Sequence, residues 1–300
     1  MRKEVSPLQE PMTRTLFQQS FLQFKQNKLA VLGLIILAAL VFIAIATIVV
    51  DLVTNNSFYD EYVTGQNLEL RLSGPSAQHP FGCDEFGRDL LLRILWGTRL
   101  SLFIGLVAIL MSLVVGGYFG LIAGYYGGRV DSIIMRLMDV LLAVPYMLLA
   151  MAIVAALGTS TKNLLIALAV PGIAKYARIA RAAVLTEKDK EYVEAMKAVG
   201  ASDMKILFRY ILPCAFAPIL VQVTLGIGDS ILAIAGLSFL GIGVQPPAAE
   251  WGAILTSART YMRDAWHISV FPGLFLIITV VACNLFGDGL RDAMDPKLKR

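Results

Sequence analysis

LAVLGLIILAALVFIAIATIVV, residues 29–50, is a run of 22 residues without a charge. At 1.5 Å of rise per residue a helix of that length spans about 33 Å, enough to cross a hydrocarbon core of about 30 Å. Asp51, Asn55 and Asn56 follow it instead of a small-residue cleavage pattern, so the run reads as a retained signal-anchor rather than a cleaved leader. Arg2, Lys3, Arg14, Lys25 and Lys28 precede it and predict a cytoplasmic N-terminus. Phe17, Phe21 and Phe24 recur at helical spacing opposite Gln and Lys, which predicts a short interfacial helix over 14–27.

The rest of the chain agrees with that first run. Of 300 residues, 57% are hydrophobic and 16% charged, against about 25% charged in soluble domains, and the mean hydropathy is +0.70. A water-soluble fold of this size cannot hide so much apolar surface, so a soluble enzyme, a disordered tail and a disulfide scaffold are excluded. The net charge of +4 gives no footprint for nucleic acid. Cys83, Cys214 and Cys283 match no zinc spacing. Further spans are predicted at Ser101–Ala123, Val140–Ala156, Leu164 to about Ala180, Phe216 to about Leu237, and Ile268–Phe286, giving an all-α polytopic membrane protein of about six transmembrane helices. With the N-terminus inside, six crossings place the basic residues of 174–210 and the C-terminal Arg291, Lys297, Lys299 and Arg300 inside as well.

Within the spans, Gly116, Gly120, Gly124 and Gly128 recur every fourth residue, a smooth stripe for either tight packing or a sliding helix seam. Pro145 and Pro171 interrupt spans three and four. Asp229 is the one carboxylate placed deep in an apolar run, which makes it a possible pathway residue; Asp139, with Arg136 a turn before it, lies at a span end. His79 and His267 read as isolated, so no metal site is expected. A phosphate-binding Gly-x-x-x-x-Gly-Lys-Ser/Thr loop, a His-Glu-x-x-His zinc motif and a Gly-x-Ser-x-Gly elbow are all missing, so no catalytic residue and no bound cofactor are expected in this chain. An outer helix over 88–97, carrying Leu91, Leu92, Ile94 and Leu95, is expected along the interface.

Residues 187–213 read EKDKEYVEAMKAVGASDMKILFRYILP. Val193, Ala195, Met196 and Val199 oppose the charged residues, which predicts a short amphipathic helix. Gly200 suits its C-terminus, Ser202 and Asp203 suit a cap for a second helix through Met204, Leu207 and Ile211, and Pro213 suits the start of the fifth span. By physics alone this helix–turn–helix is either a knob for a groove on a cytoplasmic partner or a helix lying on the bilayer.

The segment resembles the EAA loop of the integral membrane subunits of bacterial ABC importers: Glu194-Ala195-Met196, then Gly200, then Tyr210-Ile211-Leu212-Pro213, with Met196 and Tyr210 in place of Ala and Ile. His79-Pro80-Phe81-Gly82-Cys83-Asp84-Glu85-Phe86-Gly87-Arg88-Asp89 is similar to the HPFGTDxxGRD signature of peptide and nickel permeases, with Cys83 for Thr. Leu237 to Gly243 with Pro246, Pro247 and Glu250-Trp251-Gly252 resembles that family's outer-side return before the last span, and Gly287 to Lys297 its C-terminal tail. The resemblance covers nearly everything from about residue 20 and points most closely to the C-type subunits of dipeptide and oligopeptide permeases.

That resemblance implies a type I ABC importer permease fold. It divides the chain into a cytoplasmic segment 1–28, a first transmembrane helix 29–50, an extracytoplasmic loop 51–99, a permease core 100–287 with the coupling loop at 187–213, and a cytoplasmic tail 288–300. It implies a bacterial inner-membrane protein, half of a translocation pathway, paired with a homologous B-type permease. Two ATPase subunits would carry ATP and magnesium, and an extracytoplasmic binding protein would deliver substrate. Val193, Glu194, Ala195, Met196, Val199, Gly200, Ala201, Ser202 and Leu207 would couple to the ATPase, their apolar positions and Gly200 seated in its groove. Gly82, Asp84, Gly87, Arg88 and Asp89 would either help receive the binding protein or brace the loop against span two. Peptide is the expected cargo, with glutathione or a nickel chelate as alternatives. A secondary carrier or a channel would leave the EAA-like loop without a purpose, and neither paired intramembrane carboxylates nor a filter is evident.

Overall fold

The computed structural model describes residues 16–294, with side chains from residue 21 onward. Arg2, Lys3, Arg14, Lys297, Lys299 and Arg300, and the side chain of Phe17, lie outside the described residues. The described chain is helical, in the order α1 Leu16–Gln26, α2 Lys28–Val53, α3 Leu90–Tyr126, α4 Gly128–Leu142, α5 Tyr146–Leu157, α6 Thr161–Glu187, α7 Glu191–Ala198, α8 Asp203–Lys205, α9 Leu212–Phe239, α10 Trp251–Tyr261 and α11 His267–Met294.

The opening apolar run is α2. Asn27 caps it by accepting from the Ala30 amide at 3.1 Å, and the same residue breaks it from α1. α1 does not rest on lipid alone: Phe24 is buried edge-to-face against Phe286 of α11, with ring centroids 5.6 Å apart.

α3 corrects the expectation of a separate interfacial helix over 88–97. It runs unbroken for 37 residues, about 55 Å. Asp89 caps it through the Leu92 amide at 2.8 Å, and Leu90 and Ile94 are fully buried beside Trp251 and Ile231. Gly97 serves close approach rather than a break, since a Cβ there would meet Trp251 Cδ1 at 3.2 Å. The charges along its first turns are neutralised in place, Arg93 by Asp84 and Arg99 by Asp51.

Three of the four stripe glycines seat α3 on α6. A Cβ at Gly116 would overlap the Ile173 carbonyl, one at Gly120 the Ala177 carbonyl, and one at Gly124 would lie 2.8 Å from Val184 Cβ. Gly128 is not part of the stripe: it lies beyond the end of α3, with φ +53° and open space around it, because Gly127 has already turned the chain.

The third span is also corrected. Its residues belong to α4 and α5, which meet at an angle of 83° around Ala143–Pro145. Pro145 supplies no amide hydrogen and its ψ of 136° is extended, so the helix ends and restarts. Pro171, by contrast, does not interrupt α6. The carbonyls beside its gap take side-chain donors, Leu168 from the Tyr146 hydroxyl and Ala169 from the Ser112 hydroxyl, both at 2.8 Å.

Pro213 lies in the first turn of α9, yet the helical run reaches it from Asp203 without a break, through a π-helical turn at Ile206–Ile211. The fifth span, expected from Phe216 to about Leu237, is α9 through Phe239, followed by a loop, and the expected tail residues 288–294 remain helical at the end of α11. Among the described residues, five helices are long and apolar enough to cross a membrane, and six crossings result if the bent α4–α5 pair counts as one.

Candidate functional site

Among the described residues, three regions concentrate charged and hydrogen-bonding side chains. The first, at the end of the molecule formed by residues 54–89, is a buried charge cluster. Asp84 Oδ2 pairs with Arg88 Nε at 2.6 Å and Arg93 Nε at 3.3 Å, while its Oδ1 accepts the Phe86 and Arg88 amides at 2.9 and 3.0 Å. Asp84, Arg88 and Arg93 are each less than 5% exposed. Burial of three charges is costly in isolation, and here each finds an opposite partner. Gly82 and Gly87 turn the loop with φ of +76° and +70°, and a Cβ at Gly87 would overlap the Asn67 carbonyl. Asp89 stands apart from the Asp84 cluster: besides capping α3 it accepts from His79 Nδ1 at 2.7 Å. Neither histidine is isolated, for His267 is buried with Nε2 3.1 Å from the Cys83 carbonyl. Burial pushes the Cys83 thiol up, away from the reactive thiolate.

Sequence reasoning missed three residues here. Asp51 is buried and accepts from Trp96 Nε1 at 3.0 Å and from Arg99. Glu250, 0% exposed, caps α10 through the Gly252 and Ala253 amides at 2.9 and 2.8 Å and accepts from Ser101. Arg93 joins α3 to the loop. The available signal was charge within apolar sequence, which demands a partner even when the partner is far along the chain.

The second region is a cavity of about 1010 Å³ walled mainly by α3, α4, α5, α6 and α9, with Leu255 of α10 and Leu276 of α11 at its edge. Its lining is mainly apolar and includes Ile109, Leu141, Met147, Leu168, Leu232 and Phe239. Asp229 lines it but is not a lone deep carboxylate: its side chain is 69% exposed and lies 3.3 Å from Lys175 Nζ, itself 43% exposed. Lys175, Arg178 and Arg181 follow one another at three-residue intervals on α6, each facing an aspartate of another helix. Arg178 meets Asp139 at 2.6 Å, and Arg181 grips Asp131 with two bonds of 2.5 and 2.6 Å. These three cations, counted in the sequence as loop charges, belong to the span itself, and Asp139 takes Arg178 rather than the neighbouring Arg136.

The third region is the turn between α6 and α9, at the opposite end from the charge cluster. α7 closes with Val199 before Gly200 at φ +79°; the Gly200 amide donates to the Lys197 carbonyl and the Ala201 amide to the Met196 carbonyl, a glycine-terminated Schellman end. Ser202 occupies the next N-cap but makes no side-chain capping bond, and Asp203 instead accepts from the Tyr125 hydroxyl of α3 at 2.7 Å. The nine predicted coupling residues divide by face. Val193 and Leu207 are fully buried with Leu121, Val184, Ile206 and Ile219 in this chain's own core, so neither is free to enter a partner's groove. Met196 and Ala201 pack at the edge of the same cluster. Glu194, Ala195, Val199, Gly200 and Ser202 are exposed, Val199 at 76%, and Met204, not among the nine, joins them. Burial, aided by a hydrogen bond to Glu187, pushes the Tyr192 phenol up and keeps it a neutral donor that ties α7 to α6.

Residues 116–300 match the family described as binding-protein-dependent transport system inner membrane component, and residues 15–75 match the N-terminal TM domain of oligopeptide transport permease C. The chain is 45% identical over 283 residues to the dipeptide transport system permease protein DppC of Alkalihalophilus pseudofirmus, covering 94% of this chain and 90% of that one. It is 45% identical over 295 residues to the di/tripeptide transport system permease protein DppC of Pseudomonas aeruginosa, covering 98% and 93%. The glutathione transport system permease protein GsiD of Pectobacterium atrosepticum is 49% identical over 226 residues, 75% of each chain. In fold, a chain of the inward-facing MetNI methionine ABC transporter superposes with a TM-score of 0.56 at 20% identity, covering 69% of this chain and 96% of that one. The chain belongs to the inner-membrane permease components of binding-protein-dependent ABC importers, a multi-pass subunit with the N-terminal domain of the C-type oligopeptide permeases, and its family works with ATPase and substrate-binding partners.

Proposed function

We propose that this chain is one half of a peptide importer's membrane pathway, paired with a homologous B-type permease, and that both termini face the cytoplasm. Two ATPase subunits dock at the α7 end and hold ATP and magnesium; a binding protein docks at the 54–89 end; this chain performs no covalent chemistry and binds no cofactor. The observation that carries the reading is the two-faced α7 turn: one face is locked into the helices that wall the cavity, and the other offers Glu194, Ala195, Val199 and Met204 to solvent. A partner pushing on that exposed face moves α6 and α9 as rigid bodies, because Val193, Ile206 and Leu207 leave no slack between turn and bundle. The charge cluster braces the opposite end, since Asp84, Arg88 and Arg93 tie the loop to α3. Peptide is the cargo class supported by the DppC relatives at 45% identity, and glutathione, a modified tripeptide, falls in the same class.

The test is reconstitution of the permease pair, ATPases and binding protein in liposomes, with ATP-dependent accumulation of labelled di- and tripeptides as the readout. Uptake that needs the binding protein is expected, and Glu194→Lys or Gly200→Pro should leave the permease inserted while abolishing both ATPase retention and uptake. Wild-type uptake in both variants would remove the α7 turn from the mechanism. Uptake of a non-peptide with no peptide accumulation would overturn the cargo.

A further inference from the structure

The cavity between α3, α4–α5, α6 and α9 has one conspicuous chemical feature. Its walls are mainly aliphatic and aromatic, yet Lys175 and Asp229 project into it from facing helices with their charged ends 3.3 Å apart and neither buried. Arg178 lines the same space one turn beyond Lys175. If these residues served only to hold α6 on α9, burial and closer geometry would favour them; Arg181 and Asp131, which clamp α6 to α4, show that arrangement, with two bonds of 2.5 and 2.6 Å and both side chains less exposed than Lys175 and Asp229. Tyr176 and Gly226 already bring α6 and α9 together there, because a Cβ at Gly226 would collide with the Tyr176 hydroxyl, which reaches the Gln222 carbonyl at 3.4 Å. The Lys175–Asp229 pair is therefore not needed to close that contact, and it stands open to whatever fills the cavity.

We propose that Lys175 and Asp229 are specificity-determining residues for a zwitterionic cargo: Asp229 receives the peptide's terminal ammonium, and Lys175 receives the terminal carboxylate, while Arg178 stays paired with Asp139. The proposal rests on the peptide reading above. The two charges exchange their mutual contact for the cargo's two ends, so no unpaired charge is left in a mainly apolar space at any stage. The aliphatic walls accept varied side chains, and the fixed pair reads only what every unmodified peptide shares, its termini. Each charge-assisted contact is worth about tenfold or more in transport.

The experiment uses the reconstituted full complex and compares a free dipeptide with its N-acetyl and C-amide forms. It is run in the wild type, in Lys175→Gln, in Asp229→Asn, and in the charge-swapped double variant Lys175→Asp with Asp229→Lys, each checked for assembly by co-purification of the ATPases. Binding-protein affinity is measured separately for each peptide, so that discrimination there is subtracted. Expected is an approximately tenfold or larger fall for free dipeptide in both single variants, with Asp229→Asn erasing the wild type's preference for a free over an acetylated N-terminus. The swap restores the ion pair but reverses its polarity, and it is expected not to restore transport. A swap that assembles and transports like the wild type would show that only the pairing matters and overturn the inference while leaving the peptide reading intact. A wild-type complex that takes up no peptide would overturn both.

Discussion

Asp84 shows how much one side chain can organise. It closes its own turn through two amides and neutralises two arginines, one of them on α3, while almost wholly buried. Asp84→Ala therefore leaves Arg93 without its carboxylate and Arg88 with only Glu85 at 3.5 Å, and should cost about 3–5 kcal/mol, read as a lower unfolding temperature of the purified protein in detergent. His79→Ala removes a more exposed partner of Asp89 and should cost much less, since the α3 cap remains. Glycine positions make a second residue-level contrast. Gly120→Leu drives a side chain into the Ala177 backbone and should separate α3 from α6, lowering stability by more than the roughly 1–3 kcal/mol usual for overpacking. Gly117→Ala, whose new methyl would meet only Leu113 Cδ1 at 3.7 Å, should be neutral in the same melt. The stripe itself was legible as sequence; the four-residue spacing carried Gly128 into it although the adjacent Gly127-Gly128 pair is a turn signal, and the structure ends α3 at that pair, both glycines having positive φ.

Among the elements, α7 is where pattern and packing part company. Its amphipathic spacing was plain in 187–213, and the positive φ at Gly200 is what its place after the helix requires. Which apolar residues face a partner was not plain, because a helix that packs inward on its own bundle and one that packs outward on another protein share the same periodicity. Burial separates them here. Val193→Asp should destabilise the permease itself, since the carboxylate enters a closed apolar cluster, whereas Val199→Asp should fold normally and lose ATPase in co-purification. Equal loss of the permease in both variants would contradict the assignment of faces. The α4–α5 bend has a similar lesson: Pro145 marks a disturbance as Pro171 does, yet only the first breaks its helix. Around Pro171 the neighbouring hydroxyls of Ser112 and Tyr146 serve nearby carbonyls, and those donors come from other elements.

On the scale of the whole molecule, six crossings and a shared side for both termini depend on counting α4 and α5 as one span. Alkaline phosphatase fusions test this: active enzyme is expected after Gln66 and after Gly158, and inactive enzyme after Asp189 and after Arg300. Activity at Arg300 with inactivity at Asp189 would mean that the helices after α7 do not cross twice. What the sequence determined unaided was what local composition sets: the membrane as solvent, the centres of most long apolar helices, the glycine seam of α3, and the α7 turn. Only the tertiary structure decided which charges meet. Asp51 with Arg99, Asp84 with Arg93, and Lys175 with Asp229 are paired between separate elements, and Ser101 donates to the buried Glu250 149 residues further along the chain. Hydrophobicity is a property each residue carries by itself, so it can be read in order along the chain. An ion pair is a property of two positions in space, and no spacing along a helix reveals a partner on another one.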